Sequence, residues 1–110
     1  MALKITHRDE NGADVLELDG RLVGGEETTA LREKVKSLLA EGKKNMVLDL
    51  SGVTMIDSTG LGALVTAHSS AKSGGASLRL CNLGSRSKHL LQITKLYTIF
   101  EVSDTDNNSL

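Results

Sequence analysis

The sequence predicts an α/β fold: a single domain whose mixed β-sheet opens with an antiparallel hairpin and packs against α-helices. Three observations predict it. Two alternating apolar and polar runs flank turn residues near the N-terminus, a nearly continuous apolar run lies at mid-chain, and strand-like and helix-like periods then take turns.

Residues 3–7 and 14–22 alternate or nearly alternate, and Asp9, Glu10, Asn11 and Gly12 between them carry turn chemistry, which makes the hairpin. Over residues 26–41, Leu31, Val35, Leu38 and Leu39 recur at helical spacing with charged residues mostly elsewhere, and Gly42 is placed to stop the helix. Residues 46–50 form an apolar run interrupted only by Asp49, as expected of a central strand covered on both faces. After Ile56 the period changes: Leu61, Leu64, Val65 and His68 define a helix that begins near Ser58 and ends at Ser73, Gly74 and Gly75. Residues 77–81 read as a short strand, 85–93 as a helix and 99–102 as a last extended piece. The domain is expected to span residues 1–102, with 103–110 a polar, frayed tail.

Composition narrows the function. A chain of 110 residues has room for one domain, and 39% hydrophobic with 25% charged residues is ordinary for a chain that folds unaided. The formal net charge of -1 supplies no field for a phosphate backbone or an anionic bilayer, and 2% aromatics give no stacking platform, so nucleic acid and membrane are not expected partners. Cys81 is the only cysteine, which excludes an internal disulfide and a cysteine zinc site. No window reaches the roughly 18 apolar residues of a membrane span, and the start MALKITHRDE has no apolar leader core. A cytoplasmic protein is expected.

The stretch MIDSTGLG, residues 55–62, carries the chemistry. It places Asp57, Ser58 and Thr59 at a helix start, where backbone N–H groups lack partners and the dipole favours anions. A cap by Asp57 or Ser58, worth about 1 kcal/mol, is the plainest reading. Yet a cap needs one oxygen, and two hydroxyls stand beside Asp57. Gly60 and Gly62 each cost about 1 kcal/mol relative to Ala inside a helix. Ser58, Gly62, Thr66 and Ser69 or Ser70 also follow one another along the face opposite Leu61, Leu64 and Val65, a smooth strip with a hydroxyl at its tip.

Catalytic alternatives fit poorly. A nucleophile elbow reads G-x-S-x-G, and Ile56 stands where the first Gly belongs. His7, His68 and His89 are scattered, and His68 falls on the apolar stripe as a packed side chain rather than a base. No phosphate-binding G-x-x-x-x-G-K-[ST] string occurs. Asp49 and Asp57 lack a third metal ligand. No catalytic residue, metal or cofactor is expected. Arg86, Lys88 and His89 read as a solvated basic face, and Cys81 as a small buried hydrophobe.

These residues also carry a resemblance. LDGRL at 18–22, VLDLSGVTMIDSTGLGAL at 47–64, and residues 75–83 followed by LLQITKLYTIF resemble the STAS domain, most closely the stand-alone anti-sigma factor antagonists of bacteria. The specific part is D-S-[ST]-G-L-G after a V-x-D-L-S-x-V strand end, matched by Asp57, Ser58, Thr59, Gly60, Leu61 and Gly62. The resemblance implies a phosphorylation-controlled binding module and not an enzyme. Ser58 would be phosphorylated, with Thr59 a minor alternative, by a partner that is both an anti-sigma factor and a serine kinase; a metal-dependent Ser/Thr phosphatase would restore it. The unphosphorylated form would bind the kinase and release a sigma factor. Partner contacts are expected at Asp57, Ser58, Thr59, Gly60, Gly62 and Thr66. The resemblance adds Asp19 and Arg21 at the end of the second strand, which from the residues alone read as a turn. A non-switching scaffold, or an accessory subunit of a stress-signalling complex or transport system, is the alternative. Two departures stand out: Thr59 replaces the second Ser of many members, and DTDNNSL stands where a closing helix is usual.

Overall fold

The computed structural model describes residues 3–95 and 100–103. Eight elements follow in order: β1 (Leu3–Glu10), β2 (Ala13–Leu22), α1 (Gly25–Ala40), β3 (Asn45–Ile56), α2 (Ser58–Ser73), β4 (Ser77–Cys81), α3 (Ser85–Thr94) and β5 (Glu101–Ser103). The strands form one five-stranded sheet in the order β1-β2-β3-β4-β5; β1 is antiparallel to β2 and the remaining pairs are parallel. This is the expected mixed α/β sheet with β3 at its centre.

The hairpin is tighter than the sequence pattern suggests. β1 continues through Asp9 and Glu10, and Asn11 and Gly12 alone make the turn, with φ of 55° and 83°. Positive φ at both positions is the two-residue geometry that matches strand twist, and Asn-Gly is the pair that adopts it without strain. α1 and α2 close alike. Gly42 N–H donates to the Leu39 carbonyl and Lys43 N–H to that of Leu38, as Gly75 and Ala76 do to those of Lys72 and Ala71. Each pair satisfies carbonyls that the helix end leaves open.

Two expectations need correction. β3 runs to Ile56 rather than Leu50, because residues 51–56 lose two-sided burial but stay paired with β2 as far as Leu22 opposite Ile56. For the same reason residues 19–22 are strand, not turn, with register irregularities between Glu17 and Asp19 and between Gly20 and Arg21. Of the last extended piece, Ile99 lies outside the described residues, and β5 ends at Ser103, one residue past the expected domain boundary. The tail from 104 on is likewise outside them.

Period two in the strands sends Leu16, Leu18, Leu48, Leu50 and Leu80 to one face, where they share a core with Leu31, Val35 and Leu38 of α1, Leu61, Leu64, Ala67 and Ala71 of α2, and Leu91 of α3. All three helices thus contribute to one side. Each fully buried Leu contributes roughly 1.5 to 3 kcal/mol. The opposite face holds a smaller buried group, Ala13, Val15, Val47 and Cys81, near the Arg8–Glu17 ion pair.

Candidate functional site

The site grows from the junction of β3 and α2. Asp57 adopts extended backbone (φ −104°, ψ −176°), and its Oδ1 accepts a 2.7 Å hydrogen bond from Gly60 N–H. That is the capping geometry, so the cap is Asp57 and not Ser58. The same oxygen faces Gly24 N–H at 3.4 Å, and Asp57 N–H donates to the Leu22 carbonyl at 3.4 Å. The end of β2 and the approach to α1 therefore hold the tip of α2. The contacts of Leu22 and Gly24 with Asp57 gave no signal in the sequence, because the two lie more than thirty residues from the motif.

Capping by Asp57 leaves the neighbouring hydroxyls unused. Ser58 and Thr59 are exposed, and among the described residues no hydrogen bond within the chain engages either hydroxyl. The two glycines divide. Gly60 is buried, and a Cβ there would collide with the Leu22 carbonyl; Gly62 is exposed, and a Cβ there would meet nothing within 4 Å. Folding thus explains Gly60 and leaves Gly62 as bare backbone on the outer strip. Thr66 and Ser69 continue that strip in solvent, while Leu61 and Leu64 are buried beneath it.

Arg21, opposite Met55, is exposed three residue positions before Ser58, about 10 Å along the strand. Asp19 is farther away. It pairs with Gly52, about 17 Å from Asp57 along β3, and its carboxylate lies over the Gly52 backbone. The structure therefore gathers Asp57, Ser58, Thr59 and Gly62, extends them toward Thr66 and Arg21, and leaves Asp19 apart.

Asp49 has a different task. It is 5% exposed, and its Oδ1 accepts from Ser51 N–H at 2.9 Å and Asn82 Nδ2 at 3.0 Å. Burial by itself would raise its pKa, but these hydrogen bonds, the Ser51 hydroxyl and the Arg8 charge outweigh it and hold the carboxyl below its ordinary range. Asp49 lies about 26 Å along the strand from Asp57, so the two cannot share an ion. Burial first, and then the Asp49 charge, push the Cys81 thiol up to about 12. His68 is half-buried with its ring edge-to-face on Phe100, centroids 5.3 Å apart, as a packed side chain. No helix among the described residues is long and apolar enough to cross a membrane.

The STAS domain model matches residues 4–108, almost the whole chain. The chain belongs to the STAS domain family. Among its relatives, the anti-sigma-B factor antagonist of Bacillus subtilis is 40% identical over 73 residues, 66% of each chain. That of Listeria monocytogenes is 33% identical over 110 residues, covering 96% of this chain and 91% of its own. Among solved structures, the Bacillus cell fate determinant SpoIIAA in its phosphorylated form superposes with a TM-score of 0.72 at 16% identity, covering 98% of this chain and 96% of that one. At that identity the match speaks for the STAS fold. Within this fold the Asp57–Gly62 motif stands at the β3–α2 junction.

Proposed function

We propose that this STAS domain is an anti-sigma factor antagonist switched by phosphorylation of Ser58 and acting in the cytoplasm. Unphosphorylated, the tip of α2 docks on an anti-sigma factor that is also a serine kinase, and the sigma factor is released. The kinase transfers the terminal phosphoryl group of ATP to Ser58 Oγ; the hydroxyl loses its proton and ADP leaves. A metal-dependent Ser/Thr phosphatase hydrolyses the ester to restore the hydroxyl and free phosphate. The chain itself catalyses nothing and binds partners.

The observation that carries this reading is the division of labour at the helix start: Asp57 makes the cap, so the exposed Ser58 hydroxyl is available to a second protein. The names of the relatives support the antagonist role. Asp57, Thr59, Gly62 and Thr66 supply the docking strip, Gly60 lets the tip pack, Arg21 flanks it, and Asp19 would be reached only by a partner that extends farther along β2. A phosphate there adds about -1.5 to -2 charges. Only about 3 kcal/mol of lost complementarity weakens a partner more than a hundredfold.

The test is intact-mass spectrometry with site mapping on wild type, Ser58→Ala and Thr59→Ala, each incubated with Mg-ATP and candidate anti-sigma kinases from the source genome. One added phosphate, lost only in Ser58→Ala, is expected. No phosphorylation by any candidate, with partner binding indifferent to Ser58→Glu, would replace the switch with the scaffold reading.

A further inference from the structure

Beside the Ser58 tip, the last residues of β3 and the first turns of α3 enclose an open groove of about 360 Å³. Val53, Met55, Ile56 and Leu90 make its apolar part, and Ser85 and Arg86 its polar rim. A second hollow continues it past Ile56 and Leu90 to His89. Met55 of β3 is 48% exposed and Ile93 of α3 63%; they are the exposed large hydrophobic side chains of the described residues. Among the described residues no carboxylate lines either hollow, and the first turn of α3 contains no acidic residue. The groove is therefore apolar at its floor and cationic at its edge.

We infer that this groove is a second docking site for a protein partner, accepting a segment that inserts a large apolar side chain against Met55 and Leu90 and sets carboxylates against Arg86 and His89. Charge complementarity fixes the sign: an acidic segment meets the Arg86 guanidinium and a helix end that favours anions, whereas a basic segment is repelled by both. Continuity fixes the partner. Ile56, which lines both hollows, is two residues from Ser58 on an uninterrupted backbone, so a protein seated on the α2 tip reaches the groove without leaving the surface. A stable interface covers about 800 Å² per partner, more than one helix turn offers. The inference rests on the reading of Ser58 above and deepens it: the groove selects which anti-sigma factor binds, and Ser58 decides when.

The experiment measures the Kd of the anti-sigma kinase found by the phosphorylation test for wild type, Met55→Glu, Arg86→Glu and Ser58→Glu, with thermal melts of each. Arg86→Glu places a carboxylate where the helix dipole favours it, so its fold is retained. A tenfold or greater loss of affinity in Met55→Glu and Arg86→Glu at unchanged Tm is expected. Affinity within twofold of wild type in both, with Ser58→Glu still abolishing binding, would overturn the groove and leave the switch intact. The reverse pattern would keep the groove and remove the switch.

In parallel, acetyl-Glu-Leu-Leu-Glu-amide is titrated into the ¹⁵N-labelled chain, with acetyl-Lys-Leu-Leu-Lys-amide as control. Shifts confined to residues 53–56 and 84–90 with the acidic peptide alone are expected. If no candidate kinase binds, this titration decides. No shifts, equal shifts from both peptides, or shifts at these residues that follow protein concentration alone, as for a second copy, would overturn the proposal.

Discussion

The Gly60 backbone lies so close to the Leu22 carbonyl that no Cβ fits between them, while Gly62, two residues on, faces open space. Gly60→Ala forces the end of β2 away from α2 and is expected to destabilise the chain by about 1 to 3 kcal/mol. Gly62→Ala improves helix propensity and is expected to stabilise it by up to about 1 kcal/mol, while weakening partner binding. Urea unfolding of the two variants checks the opposite signs.

The cap and the hydroxyl beside it separate in the same way. Asp57→Ala removes the bond to Gly60 N–H and is expected to cost about 1 kcal/mol, whereas Ser58→Ala changes stability by less than about 0.5 kcal/mol.

Phosphorylation of Ser58 is expected to leave stability nearly unchanged. The helix dipole favours the new anion by roughly 0.3 to 2 kcal/mol, and repulsion by Asp57 at about 5 Å in water is on the order of 1.7 kcal/mol, so the terms largely cancel. Calorimetry of the two forms is expected to place them within about 1 kcal/mol of each other, against a loss of binding of a hundredfold or more. A large stability change would move the effect of the phosphate from the interface into the fold.

Acid stability follows from Asp49. Its folded pKa is depressed, so its contribution is present above the unfolded value near 4 and is lost as pH falls through the lower folded value. Asp49→Asn is expected to flatten the acid limb of a stability-versus-pH curve. It also leaves Ser51 N–H and Asn82 with a weaker acceptor.

Cys81 behaves in the opposite sense. With its pKa raised to about 12, the thiol is expected to resist iodoacetamide at pH 8 until the chain unfolds. The stability that its neutral form contributes is complete below the unfolded pKa, near 9, and falls as pH rises toward 12. Cys81→Ala is expected to reduce the alkaline slope.

The element types were legible because the periods are strong: every expected strand and helix exists, and the Asp57–Gly62 motif stands at the expected helix start. What escaped the sequence depends on pairs distant along the chain. The second half of β3 is half-exposed and mixes polar with apolar residues, and its partnership with residues 19–22 keeps it extended. Gly60 and Gly62 look alike as letters; the Leu22 carbonyl, thirty-eight positions before Gly60, distinguishes them. The groove is invisible for the same reason, since Met55 and Arg86 become neighbours only once β3 and α3 are placed.

Strand order across the sheet repeats strand order along the chain. During synthesis each new strand therefore finds its edge already displayed by the one before it, and none has to be threaded between two that are already paired. Growth is one-directional, and after the hairpin a helix is laid over the same face at each step. A nascent chain halted after β3 already contains the hairpin and the strand on which the rest of the sheet builds, and its provisional edge is Asn45–Ile56, the strand that leads into Asp57 and the start of α2.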